Sequence, residues 1–188
     1  MEHTPPSRPD RPEPIGSEDT RLIVLRGPSG AGKSTLAAQI RSHCGPPIAV
    51  IGQDTVRRLI LKEKDVPGGV NISMISLMAA HALDSGHHVV LEGIMAARRY
   101  AGMLTGLAER HRGTTRMFYL DVSFSETLRR HTTRPQAAEF GEPEMRSWYL
   151  ERDLLPDGRE QIIPEEATLQ TGLETIMRET GLSTDPNR

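Results

Sequence analysis

Eight consecutive residues, Gly27-Pro28-Ser29-Gly30-Ala31-Gly32-Lys33-Ser34, carry the spacing Gly-x-x-x-x-Gly-Lys-Ser. Glycines in such a run let the backbone curl so that successive N–H groups point inward at phosphate oxygens. A helix opening near Lys33 adds its positive dipole end and its unpaired N–H groups. Lys33 is placed to reach the β- and γ-phosphates and Ser34 to offer its hydroxyl to Mg²⁺, with Thr35 capping or packing beside them. The chemistry expected is capture of ATP or a similar triphosphate together with Mg²⁺. A glycine-rich turn with a surface lysine is the alternative, and the strand before and helix after the run argue against it.

Other charged residues fall where such a site would need them. Asp54 follows an apolar run and could accept the proton of an attacking hydroxyl, or simply cap the next helix. Glu92 ends Val89-Val90-Leu91, and an acid after an apolar run can hold Mg²⁺ directly or through water. Asp121 competes for that role but reads better as part of a helix start. Arg130 and Arg134 are four apart and would share a helix face, from which they could close over phosphates as a lid. The alternative is a solvated basic helix end. Arg57 and Arg58, like Arg98 and Arg99, could bind an anionic part of an acceptor or be surface charge. No His has metal-ligand spacing with a second His or Cys.

The elements that must position these residues alternate in type. Leu22-Ile23-Val24-Leu25, Ile48-Ala49-Val50-Ile51, Val89-Val90-Leu91, Met117-Phe118-Tyr119-Leu120 and Gln161-Ile162-Ile163 read as five short strands. Helices are expected from Lys33 to about His43, from 54 or 55 to 63 with Val56, Leu59 and Ile60 inward, and from Asn71 to Ser85 with Ile72, Ile75, Leu77, Met78 and Ala82 inward. Further helices are expected over 96–111, from Ser123 through His131, around 143–153, and over about 167–180. Ser123 with Glu126, and Thr171 with Glu174, have capping-box spacing. Successive parallel strands need crossovers, so the alternation predicts an α/β fold with a parallel sheet covered by helices on both faces. Ligands of such sheets bind outside the carboxyl ends of the strands, where the residues above fall.

The 188 residues suit one domain. Residues 1–20 hold Pro5, Pro6, Pro9, Pro12 and Pro14 among charged residues and are expected to be a disordered tail. A proline-rich docking peptide is the functional alternative. The domain is expected over 21–182, with a lid at about 132–147 and a flexible end at 183–188. The net charge of −2 gives no global field toward nucleic acid or an anionic membrane. Positive charge comes mostly from arginine, since Lys33, Lys62 and Lys64 are the only lysines. One cysteine, Cys44, permits no intrachain disulfide. No apolar run approaches a membrane span and no secretory signal is evident, so the expected location is cytoplasmic.

Together, Leu25-Arg26-Gly27-Pro28-Ser29-Gly30-Ala31-Gly32-Lys33-Ser34-Thr35, Asp54, Leu91-Glu92-Gly93 and Arg130-x-x-x-Arg134 resemble small P-loop kinases. The nearest groups are the zeta-toxin and chloramphenicol phosphotransferase-like kinases and the broader set of short AAA-type kinases of bacteria. The resemblance spans about residues 21–180. It implies a P-loop NTPase three-layer sandwich with strand order 2-3-1-4-5 and a short lid. It also implies ATP·Mg²⁺ as phosphoryl donor and a hydroxyl-bearing small molecule as acceptor. Asp54 would then be the general base. Lys33 and Ser34 would handle phosphate and Mg²⁺, Glu92 would support the metal or the acceptor, and Arg130 and Arg134 would close the lid. Segments 57–80 and 94–104 would line the acceptor pocket. A monomer or a homodimer fits equally.

Rival functions need features the chain lacks or leaves open. A switch GTPase needs an Asn/Thr-Lys-x-Asp tetrapeptide, and none occurs. A remodelling ATPase needs a sensor-bearing second domain. A polynucleotide 5′-kinase needs a basic stripe. A non-catalytic nucleotide-binding module remains the rival from another class.

Overall fold

The computed structural model describes residues 13–45, 47–132 and 140–182. Five parallel strands form its centre: β1 (Arg21–Arg26), β2 (Ile48–Gly52), β3 (His88–Glu92), β4 (Thr114–Asp121) and β5 (Glu160–Pro164). Their order is β2-β3-β1-β4-β5, as the resemblance implies. Side chains of β1 alternate between two cores, because successive strand residues face opposite sides. Leu22 and Val24 enter one core with Val89, Leu91 and Met117. Ile23 and Leu25 enter the other with Val90, Phe118 and Leu120.

Helices α2 (Val70–Asp84) and α3 (Ala97–Arg110) cover the first face through Ile75, Ala79, Leu83, Tyr100 and Leu104. Helices α1 (Lys33–Cys44) and α6 (Leu169–Thr180) cover the second through Leu36, Ala37, Ile40, Leu173 and Ile176. Helices α4 (Phe124–His131) and α5 (Glu142–Trp148) follow β4 at the carboxyl edge. The register sets Gly52 opposite Glu92, and Leu25 opposite Glu92 from the other side. The chain therefore leaves β1, β2 and β3 at one level, which brings the phosphate run, Asp54 and Glu92 to a shared edge. No helix among the described residues is long and apolar enough to cross a membrane.

Several expectations need correction. The segment ahead of β1 is not an unpacked tail through residue 20. Ile15 is buried and pairs in a bridge with His111, and Thr20 is buried beside the same histidine. One large apolar side chain is enough to fasten a short strap that its proline-rich composition disguised. Residues 1–12 and 183–188 lie outside the described ones.

The helix after Asp54 is a π-helix, Thr55–Ile60. Its Leu61 N–H donates to the Val56 carbonyl five residues back. The wider turn keeps Val56 buried but turns Leu59 and Ile60 outward, 73% and 52% exposed. In α2, Leu77 and Met78 are likewise exposed rather than inward. Thr168, not Thr171, caps α6, its hydroxyl accepting from the Thr171 N–H at 3.1 Å. Ser123 does cap α4, accepting from the Glu126 N–H at 3.3 Å, whereas the Glu126 carboxylate binds arginines instead of closing the box. The expected helix at 143–153 is shorter and runs Glu142–Trp148, overlapping the end of the span expected to be lid.

Candidate active site at the carboxyl edge

The phosphate cradle forms because its backbone adopts angles that side chains resist. Gly27, Gly30 and Gly32 have φ of 140°, 87° and 104°. Gly27 also lies so close to β4 that a Cβ there would sit 2.6 Å from the Leu120 carbonyl oxygen. Gly32 starts α1 with no side-chain cap, and no acidic residue occupies the first turn. No side chain caps the opening N–H groups of α1, an arrangement that suits an anion at a helix start. Lys33 is buried, and its ammonium donates to the Pro28 carbonyl at 2.7 Å, folded over its own loop. Ser34 and Thr35 are exposed on the first turn.

The Ser34 hydroxyl donates to Glu92 Oε2 at 3.1 Å. Glu92 Oε1 packs against Gly52, where a Cβ would approach it to 2.9 Å. Two hard oxygen donors side by side at the mouth of a phosphate cradle fit Mg²⁺, which completes its shell with phosphate oxygens and water. Asp121 is occupied elsewhere, by Arg152 at 3.2 Å.

Asp54 follows β2 with its side chain 63% exposed. It makes no cap to the π-helix. Its carboxylate instead accepts from Arg57 at 2.7 Å. Arg57 also reaches the Glu63 carbonyl, and Arg58 is exposed. Arg99 pairs with Asp65 at 2.7 Å, while Arg98 is exposed.

A polar network lies under Asp54. Gln53 is 3% exposed; its carbonyl accepts from the Met95 N–H at 3.0 Å, and its amide donates to the Tyr100 hydroxyl at 2.8 Å. The single hydroxyl hydrogen of Tyr100 serves Asp65 at 2.8 Å or Asn71 at 2.7 Å. Burial, first, and Asp65, second, hold the Tyr100 phenol above its ordinary value and keep it protonated. The Asn71 backbone and side-chain amides hold Glu63 below its ordinary value. Met95 itself has φ of 39° and is buried. A non-glycine residue in that region costs about 1–3 kcal/mol unless its surroundings fix it. Here the Met95 N–H donates to Gln53 and its carbonyl accepts from the Arg26 Nε at 2.9 Å.

Arg26 was not singled out by the sequence. It is fully buried, with ion pairs to Asp153 at 2.9 Å and Glu160 at 2.7 Å. Asp153 also accepts from the Ala97 N–H at the start of α3. One arginine therefore ties β1, the loop after β3 and the entry to β5 together directly behind the cradle.

Arg130 reaches the cradle from α4. It donates to the Ala31 carbonyl at 3.1 Å, the Glu165 carbonyl at 3.0 Å and Glu126 at 2.6 Å. Hydrogen bonds from Arg129 and then Arg130 pull the Glu126 carboxyl down to about 2. Arg129 is 74% exposed and pairs with Glu126 at 2.6 Å. Arg134 lies outside the described residues. Beside Arg130 opens a cavity of about 300 Å³ between α1 and the β5–α6 loop. Thr35, Leu36, Leu120, Val122 and Pro164 form much of its wall. Its rim includes Ala31 and Gly32, so it continues the cradle. Of its lining, Ala31, Gly32, Thr35 and Arg130 stood out in the sequence as site residues; the aliphatic wall did not, because aliphatic residues in these positions read as core.

A comparison with curated proteins finds no match. Solved structures share the fold. APS kinase of Mycobacterium tuberculosis, in complex with AMPPNP and APS, matches at TM-score 0.64 and 17% identity, covering 88% of this chain and 98% of that one. The tunicamycin resistance protein of Deinococcus radiodurans matches at TM-score 0.61 and 17% identity, covering 87% and 97%. A gluconokinase from Sinorhizobium meliloti matches at TM-score 0.55 and 17% identity, covering 90% and 93%. Likeness at this identity establishes the fold alone. The sequence itself matches the AAA_33 family, an AAA domain, over residues 22–148, from β1 to the end of α5. The match is to an AAA group and singles out neither the zeta-toxin nor the chloramphenicol phosphotransferase-like kinases. With more than half of its length inside that match and a glycine-lined phosphate cradle where the fold requires one, the chain belongs to the AAA_33 family of P-loop AAA domains.

Proposed function

We propose that this chain is an ATP- and Mg²⁺-dependent phosphotransferase that moves the γ-phosphoryl group to a hydroxyl of a small molecule. The observation that carries the reading is the contact of Ser34 with Glu92 at 3.1 Å, one strand away from an exposed Asp54. Metal donors, phosphate cradle and a candidate proton acceptor thereby share one edge.

In this reading the triphosphate lies along residues 27–34 and Lys33 swings from the Pro28 carbonyl to the β- and γ-phosphates. Ser34 and Glu92 are the residues that would hold Mg²⁺. The ion would offset charge on the bridging oxygens when bound. The nucleoside enters the cavity beside Thr35 and Leu36. Arg130 borders both that cavity and the cradle, so it can contact a nucleotide held there. Arg134, on the neighbouring segment, is the second lid candidate.

The acceptor hydroxyl approaches Asp54 from solvent. Phosphoryl transfer proceeds through a loose transition state, so the proton moves late and a weakly basic carboxylate suffices. The 2.7 Å contact with Arg57 suits that role, because it aims the carboxylate. Arg57, Arg58 and Glu92 are the candidate contacts to the acceptor. The similar structures are of proteins as different as a gluconokinase, an APS kinase and a tunicamycin resistance protein, so this chain's acceptor is sought directly. Incubation with γ-labelled ATP and pools of hydroxylated metabolites and antibiotics should give a product 80 mass units heavier, the gain of one phosphoryl group (about 80 Da). Pools that leave ATP intact and yield no phosphorylated product would favour a non-catalytic nucleotide-binding module instead.

A further inference from the structure

We propose that two copies of this chain pair through the outward face of α2 and the segment leading into it. Six of the nine large apolar side chains exposed among the described residues fall between 59 and 78. They are Leu59 at 73%, Ile60 at 52%, Val66 at 46%, Val70 at 59%, Leu77 at 70% and Met78 at 37%.

Helix α2 explains the concentration. Its inward residues Ile75, Ala79 and Leu83 recur every four positions and are buried on the sheet. Val70, Leu77 and Met78 recur at i, i+7 and i+8 and make a second, exposed apolar stripe, with half-buried Met74 between it and the core. No charged residue lies between Val70 and Leu83. A helix apolar on two faces is built to sit between two layers, and the sheet supplies one of them. The leading segment joins the same surface. The Gly69 N–H donates to the Val66 carbonyl at 3.1 Å, and the Asn71 N–H donates to Glu63 at 2.6 Å. Val66 is thus folded back against the start of α2, with Leu59 and Ile60 just ahead of it.

Three observations say what covers this surface. The first is reach. Asp84, at the far end of α2, accepts from the Gly16 N–H ahead of β1, so the helix runs away from the carboxyl edge. Leu77 lies roughly 10 Å down the axis from Val70, beyond a small acceptor held at Asp54. The second is area. The six side chains expose roughly 100 Å² each, about 600 Å² together, which is about three-quarters of the ~800 Å² per partner of a standard interface. The third is charge. The stripe offers no ionic code to select a foreign partner, yet meets its own copy without like-charge contact. A twofold axis perpendicular to α2 sets the helices antiparallel. Lys62 and Lys64 of one copy then face the carbonyl end of α2 and Asp84 of the other, a favourable pairing with the helix dipole. This inference does not depend on the phosphotransferase reading.

Sedimentation velocity of the full chain, at rising concentration up to about 200 µM, tests it. The expected species at the upper end has twice the 20.8 kDa of one chain. Leu77→Asp and Leu59→Asp should each raise the dissociation constant at least ~10-fold, with circular dichroism and nucleotide binding unchanged. Both positions are exposed, so a charge there does not enter the core. Should one variant misfold, the other and the wild-type series still decide. A wild-type chain that stays monomeric at the highest concentration overturns the proposal. So does a dimer that the variants leave intact, since it would use another face.

Discussion

Ser34 on the first turn of α1 and Glu92 at the end of β3 are 58 residues apart in sequence and 3.1 Å apart in space. Glu92 has Leu25 and Gly52 as its register partners on the two sides, so the contact is fixed by the sheet and not by a loop. Glu92→Gln keeps the shape and removes the charge. It should weaken Mg²⁺-dependent nucleotide binding by about 10-fold, roughly 1.4 kcal/mol, and leave binding in the absence of Mg²⁺ unchanged. Calorimetric titration with and without the metal reads this directly. Equal weakening in both conditions would mean that Glu92 shapes the cradle without holding the ion.

Gly27 tests the backbone that carries the phosphates. A methyl group there would press on the Leu120 carbonyl, a backbone atom of β4 that cannot rotate aside, and φ of 140° adds strain. Gly27→Ala should lower stability by about 2 kcal/mol or more and abolish nucleotide binding. Thermal unfolding with and without nucleotide reports both effects. A variant as stable as wild type would show that β4 and the loop separate more easily than their packing implies.

Arg26 is a structural prediction. Its guanidinium is fully buried between Asp153 and Glu160, whose side chains are 23% and 2% exposed. Removing one partner of such a cluster leaves buried carboxylate uncompensated, which costs about 3–5 kcal/mol. Arg26→Met should therefore shift the urea midpoint strongly. Glu160→Gln in the same background should recover part of the loss, because it removes the stranded charge. No recovery would place the defect in the freed Met95 carbonyl instead.

Stability should fall with mild acid. His111 sits with Nε2 2.9 Å from the Thr20 hydroxyl and Nδ1 2.8 Å from the Thr115 hydroxyl. Burial, then Arg21, holds its pKa below the ordinary 6.5. Burial does the same for His88, with Arg21 and His87 adding to it. A histidine of depressed pKa is protonated first in the unfolded chain. Its stabilising contribution is complete above 6.5 and is lost as pH falls through the folded value. The thermal midpoint should drop as pH falls below about 6.5, the ordinary histidine value, before carboxylates titrate. His111→Gln should flatten part of that slope. A midpoint independent of pH over this window would contradict the buried neutral imidazoles.

The phosphate cradle was legible because its backbone angles demand glycine at fixed intervals, and the strands because buried parallel strands are continuous apolar runs. Glu92 was legible by its place at a strand end. The face of the segment 55–60 was not: a π-turn and an α-turn need no different residues, yet they point Leu59 and Ile60 in different directions. Arg26 read as an arginine beside a loop. Its burial depends on Asp153 and Glu160, more than 120 residues later, and no local pattern carries that information. The cavity beside Leu36 is invisible for a related reason, since its aliphatic wall is indistinguishable from core until the elements are assembled. The strap at Ile15 was hidden by the prolines before it.

The account stands most directly on the fate of the γ-phosphoryl group. Once an acceptor is found, labelled ATP should be followed through a single turnover in wild type, in Asp54→Asn and in Lys33→Ala. The prediction is label in the acceptor for wild type only. Asp54→Asn should still bind ATP within about 2–3-fold of wild type but transfer at least ~100-fold more slowly, and Lys33→Ala should lose nucleotide affinity as well. Undiminished transfer by Asp54→Asn would contradict the mechanism.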